Sequence, residues 1–264
     1  MTKKKKQTKQ HLNVFIGYDE RQDLAYRVCK QSLEDTASKP LSIYPLKHRE
    51  LREIELFKRA WEINGKGLTT DKQDGRPFST NFAFTRFLVP AYAKYLGTRA
   101  NDPCIFVDSD FVFLRDIYSI LDETSIEDHP VWVVKHDYKS ANVIKMDNQS
   151  QFNYNKKLWS SFMLFNMKHA NCGPSIEDVN TKDGTWLHQF GWLKDEDIGG
   201  LHEGWNFIPE HSNKRIKESE IRAIHYTEGV PLMKPGCRYA EVFNNYLRDV
   251  LEEAYKDVSK LEDK

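Results

Sequence analysis

Short apolar runs alternate along the chain with longer segments of helical periodicity. Asn13 to Tyr18 (NVFIGY) predicts a buried strand, and Asp19 can cap the helix that we expect over Glu20 to Leu33. Leu41 to Leu46 predicts a second strand, and Pro45 favours an edge or loop position for its end. Strand, helix and strand in this order predict a parallel βαβ unit.

The rest of the chain continues this alternation. The polar segment from Asn64 to Ser79 predicts a mobile loop, and Thr80 to Leu96 predicts a helix that Pro90 kinks or breaks. Tyr239 to Leu261 predicts an amphipathic closing helix. Further strands are predicted over Cys104–Val107, Pro130–Val134, Ser161–Phe165 and Ile221–Tyr226. We therefore expect one α/β domain over residues 11–264.

Charge and composition exclude several classes of protein. The chain has 39 basic residues (Lys and Arg) and 39 acidic ones (Asp and Glu), so its net charge is zero. This balance does not indicate binding to nucleic acid. No apolar run reaches the ~18 residues of a membrane span, so a cytoplasmic protein with no transmembrane segment is expected. Residues 1–10 are basic and polar, which predicts a disordered tail or, alternatively, an arm for nucleic acid or a membrane surface. Four widely spaced cysteines indicate neither disulfides nor a zinc site.

A pair of aspartates in CIFVDSDFVFL is the sharpest local feature. Asp108 and Asp110 follow an apolar strand, and on an extended chain they face one side while Ser109 faces the other. Neighbouring carboxylates repel each other, and a divalent cation relieves that repulsion. Ligands also bind at the carboxyl ends of strands in α/β sheets. The pattern alone predicts either a metal site or two solvated turn residues.

A second polar pair comes late in the chain, in IRAIHYTEGVPLMK. A strand-like run ends at His225, and a loop with glycine and proline then carries Lys234. An imidazole nitrogen can ligate Mn²⁺, and an ammonium group can meet a phosphate as a point charge. A purely structural hydrogen bond of His225 is the alternative.

Six segments in a fixed order carry a family resemblance: NVFIGYD, FTRFLVPAYAKYL, IFVDSDFVFLRDI, SSFMLFNM, DEDIGGLHEGWNFIPE and IHYTEGVP. From Asn13 to Lys234 the chain resembles glycosyltransferase family 8 and its bacterial and viral relatives. The resemblance implies a GT-A fold, with a Rossmann-like, mostly parallel sheet flanked by helices. It also implies Mn²⁺ (or Mg²⁺) on a DxD motif. The implied reaction transfers a hexose, with retention, from a donor of the UDP-glucose or UDP-galactose type to an unidentified glycan or small-molecule acceptor.

The resemblance also implies roles for individual residues. Asp108, Asp110 and His225 would hold the metal. Catalytic roles would fall to Arg86 near the diphosphate, and to Asp195 and Glu196 beside the donor sugar. Glu196 would act as a nucleophile or as an electrostatic stabiliser. The remaining expected donor contacts are Gly17, Tyr18, Asp19, Ser109 and Lys234 towards the nucleotide, and Asp137 and Ser161 towards the sugar.

Three departures from the family pattern bear on substrate binding. Trp159, Ser160 and Ser161 stand where relatives often carry Asn-Ala-Gly, which changes one donor-sugar contact. Lys234 comes later after the histidine than in relatives, which leaves its phosphate role open. Tyr18 occupies the usual place of an acidic residue that reads the base. Asp19 could take that role one step later while Tyr18 stacks on the base.

Two further segments have open interpretations. Lys135, His136 and Asp137 follow a strand, and they are either donor-sugar ligands or ordinary polar residues of a strand end. Aromatic rings alternate with other residues just before the acidic triplet. They either form the floor of an acceptor-sugar site or pack in the core: Trp186, His188, Phe190 and Trp192. Asn206, in the segment WNF, is predicted to be structural.

Two other functions compete with sugar transfer. One is a catalytically inactive protein that binds sugar nucleotides. The other is a phosphohydrolase of the haloacid dehalogenase type, in which Asp108 would be the nucleophile. The position of Asp108 in the middle of the chain, and the presence of His225, argue against the phosphohydrolase. The predicted loop at Asn64–Ser79 could close over a donor as a lid, or remain a surface loop.

Overall fold

The computed structural model describes residues 11–63, 65, 69–137, 156–212 and 216–262, so the basic tail predicted at residues 1–10 lies outside the described residues. The described strands are β1 Asn13–Gly17, β2 Ser42–Leu46, β3 Trp61–Ile63, β4 Thr69–Asp71, β5 Cys104–Val107, β6 Phe111–Phe113, β7 Val131–Val133, β8 Phe162–Phe165, β9 Ile198–Gly200 and β10 Ala223–His225. The described α-helices are α1 Asp23–Thr36, α2 His48–Glu53, α3 Val89–Tyr95, α4 Ile120–Glu123, α5 Ile176–Thr181, α6 Gly184–His188 and α7 Ala240–Glu262.

A six-stranded sheet in the order β2-β1-β5-β8-β7-β9 forms the centre of the fold. β1 runs parallel to β2 and β5, and β7 runs parallel to β9. β8 is antiparallel to both of its neighbours, β5 and β7. The carboxyl ends of β1, β2, β5, β7 and β9 therefore meet the amino end of β8 at one edge of the sheet, which we call the site edge. This mostly parallel sheet, with flanking helices and a C-terminal helix, confirms the expected GT-A fold class.

Both faces of the sheet are buried, as strands covered by helices require. Successive residues of β5 alternate between two core clusters, with Cys104 and Phe106 in one and Ile105 and Val107 in the other. Burying an aliphatic or aromatic side chain of this size stabilises the fold by about 1.5–3 kcal/mol. Cys29 is also fully buried, so Cys29 and Cys104 are both core residues.

The first βαβ unit agrees with its prediction. β1 and β2 pair in parallel from Asn13↔Ser42 onwards, and β2 lies at the sheet edge, where Pro45 needs no donor for a further strand. The chain leaves β1 through a 3₁₀ turn at Glu20–Gln22, so α1 begins three residues later than expected. Asp19 caps this turn by accepting a hydrogen bond from the backbone N–H of Arg21.

The predicted helix from Thr80 to Leu96 is wrong in its first half. A 3₁₀ helix spans Thr85–Leu88, and α3 follows it. Pro90 lies in the first turn of α3, where its fixed φ suits the helix and its missing N–H removes no bond. The proline therefore marks the start of a helix rather than a kink within one.

The predicted loop from Asn64 to Ser79 is also corrected in part. β4 lies within that range and pairs antiparallel with β3. The hairpin is anchored by a fully buried ion pair in which Arg59 contacts Asp71 at 2.5 Å. The same guanidinium donates to the carbonyl of Val179, at 3.0 Å. Residues 64 and 66–68 lie outside the described part of the chain.

The closing helix, α7, confirms the amphipathic pattern. Phe243, Leu247 and Val250 are buried in one cluster with Ala25 and Val28 of α1. The C-terminal helix thus covers α1, on the outside of the central sheet. Within the described residues, no helix combines the length and the apolar character that crossing a membrane requires.

Candidate functional site

The three predicted metal ligands come together at the site edge. Asp108 and Asp110 lie in the turn between β5 and β6, and His225 ends β10. One ligand atom from each lies within 4.8 Å of the others. The Nε2 atom of His225 is 3.3 Å from Oδ1 of Asp110. The two carboxylates converge on a turn instead of the extended chain that the sequence pattern suggested.

Backbone pairing brings these residues together. β10 pairs antiparallel with β6, which sets His225 opposite Phe111. The N–H of Tyr226 donates to the carbonyl of Asp110 at 2.9 Å, and the N–H of Asp108 donates to the carbonyl of Ser161 at 3.0 Å. The rings of Phe111 and His225 stack with 4.3 Å between their centroids. Strand pairing and stacking therefore hold the imidazole against the acidic turn.

Asn206 orients the imidazole of His225. Its Oδ1 lies 2.8 Å from Nδ1 of the histidine, and its side-chain N–H₂ donates to the hydroxyl of Ser161 at 2.9 Å. Because Oδ1 is the acceptor end of the amide, Nδ1 carries the proton and Nε2 keeps its lone pair. Sequence reasoning predicted Asn206 as structural, and the structure adds this orienting contact. No spacing rule links the two positions in sequence, so only the fold could show it.

This donor set fits a divalent cation. Two carboxylate oxygens and one imidazole nitrogen suit Mn²⁺, and the oxygens also suit Mg²⁺. The side chain of His225 is 1% exposed, whereas those of Asp108 and Asp110 are 17% and 25% exposed. The cation would thus meet a buried imidazole on one side and solvent-accessible carboxylates on the other.

Arg86 joins the acidic turn to the start of β8. Its Nη1 atom is 2.9 Å from Oδ1 of Asp108 and donates to the carbonyl of Ser160 at 3.0 Å. The guanidinium lies over the rings of Phe82 and Phe106, at 5.4 and 5.0 Å from their centroids. The arginine that the resemblance places near the diphosphate therefore lies beside the predicted metal ligands.

A shallow pocket lies at the carboxyl ends of β1 and β2. It is lined by Tyr18, Glu20, Lys47, His48, Arg49 and Asn81. The hydroxyl of Tyr18 donates to Asp23 at 3.0 Å, which fixes its ring at the pocket wall. Gly17, the last residue of β1, packs directly under the ring of Phe82. The predicted nucleotide side of the site thus has a concave surface with an aromatic wall.

Asp19 is fully buried and has several partners within the protein. Both carboxylate oxygens accept from the guanidinium of Arg21, and Oδ2 also accepts from the N–H of Asn81 at 3.1 Å. Burial alone would raise the pKa of this carboxyl, but the hydrogen bonds from Arg21 and Asn81 outweigh it and lower the pKa. These contacts favour a structural role and leave Tyr18 nearer to the pocket.

Ser109 and Lys234 also have protein partners. The hydroxyl of Ser109 is buried and donates to Oε1 of Gln22 at 3.1 Å. Lys234 pairs with Glu228, whose carboxylate also contacts Nε2 of His211. The hydrogen bond to Glu228 raises the pKa of Lys234, and the bonds from His211 and then Lys234 lower the pKa of Glu228. Sequence reasoning missed Glu228 and His211, since the family resemblance assigned a role to neither residue.

The predicted donor-sugar residues are spread around the start of β8 and of β9. The hydroxyl of Ser161 donates to the carbonyl of Leu158 at 2.6 Å, which holds the turn before β8. Asp195 pairs with Lys156 at 2.6 Å, and this hydrogen bond lowers the pKa of Asp195. Glu196 and Asp137 are exposed. Glu196 and Asp137 therefore face solvent, and Asp195 is held by its ion pair with Lys156.

His136 is enclosed beside the predicted metal ligands. Burial, and to a smaller extent the neighbouring imidazole of His225, lower its pKa to about 4. Asn206 is also a neighbour of this ring. The carbonyl of His136 accepts from the indole N–H of Trp159 at 3.0 Å. The neutral imidazole thus lies between the metal-ligand group and the turn before β8.

The aromatic run before the acidic triplet packs mainly on Phe87. The rings of His188, Phe190 and Trp192 meet it edge-on, at 5.2, 6.4 and 5.7 Å. Nδ1 of His188 also lies 2.8 Å from the hydroxyl oxygen of Ser160. These contacts favour the packing interpretation and link the run to the turn that Arg86 holds.

The fold and this site define a protein with the GT-A fold of glycosyltransferases. The bifunctional glycosyltransferase WbbM is similar with a TM-score of 0.59 and 16% identity, over 90% of this chain and 50% of that chain. The galactosyltransferase LgtC, solved with donor and acceptor sugar analogs, has a TM-score of 0.53 and 14% identity, covering 90% of this chain and 95% of that one. The glycosyltransferase GlyE of Streptococcus pneumoniae has a TM-score of 0.54 and 15% identity, covering 94% of this chain and 64% of that one. The chain thus spans only half the length of WbbM and less than two thirds of GlyE.

Sequence similarity identifies the family. Protein CDI of Arabidopsis thaliana is 36% identical over 255 residues, which are 94% of this chain and 91% of that protein. The chain belongs to the family of Protein CDI. A scan against protein-family models finds no match.

Proposed function

We propose that this protein is a metal-dependent glycosyltransferase, related to family 8, that transfers a hexose from a nucleoside diphosphate sugar. The observation that carries the proposal is the convergence of Asp108, Asp110 and His225 within 4.8 Å at the site edge of a GT-A sheet. The proposed donor is a UDP-sugar of the UDP-glucose or UDP-galactose type. The proposed cofactor is Mn²⁺ or Mg²⁺, and the proposed outcome is retention of configuration.

The order of the strands suggests how the donor lies. The nucleoside would rest in the pocket beside Tyr18 and Lys47, where β1 and β2 end. The diphosphate would lie at the group of Asp108, Asp110 and His225, beyond β5. The sugar would then extend over the ends of β8 and β7. Ligands of open α/β sheets occupy this position, outside the carboxyl ends of the strands.

The residues of this chain would act mainly on the departing diphosphate. A divalent cation, when bound, supplies Lewis-acid stabilisation of the negative charge that develops there. Arg86 is only 6% exposed, and its guanidinium already contacts Asp108. Its fixed positive charge in a poorly hydrated position would stabilise the same developing charge.

Asp195 and Glu196 would act on the sugar side. Asp195 is held by Lys156, and Glu196 is exposed on the adjoining 3₁₀ turn, Asp195–Asp197. We assign Glu196 to the region of the anomeric carbon, as a nucleophile or a stabiliser of the oxocarbenium ion. On a retaining path the departing phosphate can instead take the proton of the acceptor hydroxyl on the same face.

The contacts of Asp108 weigh against the phosphohydrolase alternative. Its Oδ1 is paired with Arg86 and shares the turn with a second carboxylate and a buried histidine. Two carboxylates and an imidazole converging on one point are typical of a metal-ligand group, which is how the proposed function uses Asp108.

A thermal-shift experiment tests the proposal. UDP and UDP-glucose with Mn²⁺ should raise the melting temperature, and each component alone should do so less, because a ligand that binds the folded state stabilises it. Asp110→Asn should abolish the Mn²⁺-dependent part. Asp102→Asn is the matched control, because Asp102 is buried at the opposite end of β5. If no nucleotide tested gives a metal-dependent shift, the proposed function is wrong.

Release of UDP from UDP-glucose or UDP-galactose separates an enzyme from an inactive binding protein. An active transferase releases UDP slowly by hydrolysis even without its acceptor, and Glu196→Gln should reduce that rate. The same variant should leave the Mn²⁺-dependent binding of UDP unchanged, since Glu196 is placed on the sugar side. Binding with no turnover, with or without candidate acceptor sugars, would support the inactive alternative.

A further inference from the structure

The carboxylate expected to read a base after β1 is engaged within the protein. Asp19 is fully buried, and both of its oxygens accept from the guanidinium of Arg21. Its Oδ2 also accepts from the backbone N–H of Asn81 at 3.1 Å. Base recognition by Asp19 would require these bonds to break, so another residue of the pocket must do it.

Asp19 holds Asn81 at the pocket beside the residue that forms its aromatic wall. Tyr18 and Asn81 both line the pocket where β1 and β2 end, and the bond from Asn81 fixes it next to Tyr18 in space. Asn81 is partly buried, and its side-chain amide has no hydrogen-bond partner within the described part of the chain. The amide thus leaves one acceptor and two N–H donors available to a ligand.

The charged side chains of the pocket are less suited to read a base. Glu20 and Arg49 are exposed and pair with each other at 3.5 Å. Lys47 pairs with Glu50 at 3.1 Å, and its Nζ lies over the ring of Tyr18, 5.5 Å from the centroid. Each of these groups either donates or accepts, whereas the edge of a base presents donors and acceptors side by side.

A second polar group in the same pocket also lacks a partner. The Nδ1 atom of His48 is enclosed and unpaired among the residues that the structure describes. Enclosed polar atoms in native proteins are almost always paired, with protein, water or a bound molecule. Two unpaired side chains beside an aromatic wall therefore favour a ligand with a flat ring and a polar edge. Asn81 fits that edge better, because an amide donates and accepts at once.

The edge of uracil matches this amide. In uracil N3–H donates and the adjacent carbonyl O4 accepts, so Oδ1 and Nδ2 of one asparagine can bind both atoms in parallel. The hydroxyl of Tyr18 donates to Asp23 at 3.0 Å, so Tyr18 offers the base its ring face rather than a hydrogen bond. Stacking on Tyr18 and pairing with Asn81 are therefore compatible.

We propose that Asn81 is a specificity-determining residue whose side-chain amide binds the N3–H and O4 edge of the uracil of the donor. This rests on the proposed function, which seats the nucleoside in this pocket. Asp19 is then a positioning residue, because it holds the backbone of Asn81. The base is read from the segment before Arg86 and not from the end of β1, where the family resemblance places that role.

Calorimetric titration with UDP and with 3-methyl-UDP, both in Mn²⁺, tests the assignment. In 3-methyl-UDP a methyl group replaces the proton on N3. The wild type should bind UDP about 10-fold more tightly, because the methyl group removes the donor and meets the amide oxygen. Asn81→Ala should weaken UDP binding about 10-fold and bind both ligands equally. Alanine keeps the N–H that Asp19 holds, so the variant should fold.

Two further variants sharpen the test. Asn81→Asp retains the acceptor for N3–H and should keep the preference for UDP over 3-methyl-UDP. Asn171→Ala is the matched control, because Asn171 is exposed beyond the carboxyl end of β8, at the opposite edge of the sheet. This control should bind both ligands as the wild type does. Should Asn81→Ala not fold, Asn81→Leu removes the same polar atoms and decides by the same ratio of affinities.

Each outcome decides a different question. If folded Asn81→Ala keeps the wild-type preference for UDP over 3-methyl-UDP, the assignment of Asn81 is overturned and the proposed function stands. Equal binding of the two ligands by the wild type would overturn it as well, because nothing would then contact N3. If the wild type binds CDP or GDP with Mn²⁺ but not UDP, the uracil assignment fails and a metal-dependent transferase with another donor remains. If it binds no nucleoside diphosphate with Mn²⁺, both proposals fail.

Discussion

Asn206 accepts a 2.8 Å hydrogen bond from Nδ1 of His225, and this bond leaves Nε2 of the same ring facing Asp110 at 3.3 Å. The amide is fully buried and its N–H₂ group is held by Ser161. The pair therefore sets the tautomer and the direction of the proposed metal ligand before any ion binds.

Removing this amide should weaken metal binding without unfolding the protein. We expect Asn206→Ala to lower the Mn²⁺ affinity about 10- to 100-fold, the usual effect of losing a residue that orients a ligand. Titration of free Mn²⁺ by electron paramagnetic resonance measures it. Asn166→Ala is the matched control, because Asn166 is 5% exposed and follows the opposite end of β8. Equal Mn²⁺ affinity in both variants would contradict the orienting role.

Arg86 should matter to both stability and donor binding. Arg86→Ala removes the partner of Asp108 and should destabilise the protein by about 2–4 kcal/mol, near the low end for buried pairs because Asp108 stays partly hydrated. Urea unfolding measures the loss. Arg59→Ala should destabilise at least as much, since its pair with Asp71 is fully buried. Only Arg86→Ala should also reduce the Mn²⁺-dependent stabilisation by UDP, and an equal reduction in both variants would argue against a site role.

The buried carboxylate of Asp19 predicts a specific dependence of stability on pH. Its pKa is lowered in the folded protein, so its contribution is present above its ordinary value of 3.8 and is lost as the pH falls through the folded value. We expect Asp19→Asn to cost about 1–3 kcal/mol at pH 7. The difference in the free energy of unfolding between Asp19→Asn and the wild type should become smaller below pH 3.8.

Urea unfolding at several pH values measures the effect for Asp19→Asn and the wild type. Asp122→Asn, at an exposed position of α4, should match the wild type throughout. The difference in the free energy of unfolding between Asp19→Asn and the wild type could instead stay constant down to the lowest pH at which both fold. That result would show that the charge of Asp19 is not what stabilises the turn.

Gly17 is required by packing at the end of β1. A Cβ at this position would lie 2.5 Å from Cδ2 of Phe82, so Gly17→Ala must displace the ring. We expect a loss of about 1–3 kcal/mol, the usual cost of overpacking a core. The double variant Gly17→Ala/Phe82→Leu should recover part of it. Gly65→Ala, where the added methyl group meets nothing within 4 Å, should be close to neutral in the same unfolding experiment.

Local patterns predicted most elements because each depends on neighbours in the chain. The apolar run at Asn13–Gly17 and the stripe of the closing helix carry their periodicity within a few residues. The acidic pair Asp108 and Asp110 was visible for the same reason, since a strand followed by two carboxylates is a local signal. The start of the helix at Pro90 was misjudged, because a proline is compatible with both a kink and a first turn.

The tertiary structure decided which residues share the site. β10 pairs with β6 although more than one hundred residues separate them, and this pairing brings His225 to Asp110. The contacts of Asn206 with His225, and of Lys234 with Glu228, likewise depend on how loops meet over the sheet. The sequence by itself determined six of the ten described strands (β1, β2, β5, β7, β8 and β10), the closing helix and the acidic motif, because periodicity and turn chemistry act between near neighbours. The orientation of His225, the burial of Asp19 and the enclosure of His136 required the fold, because they arise from chain segments that burial of the core brings together.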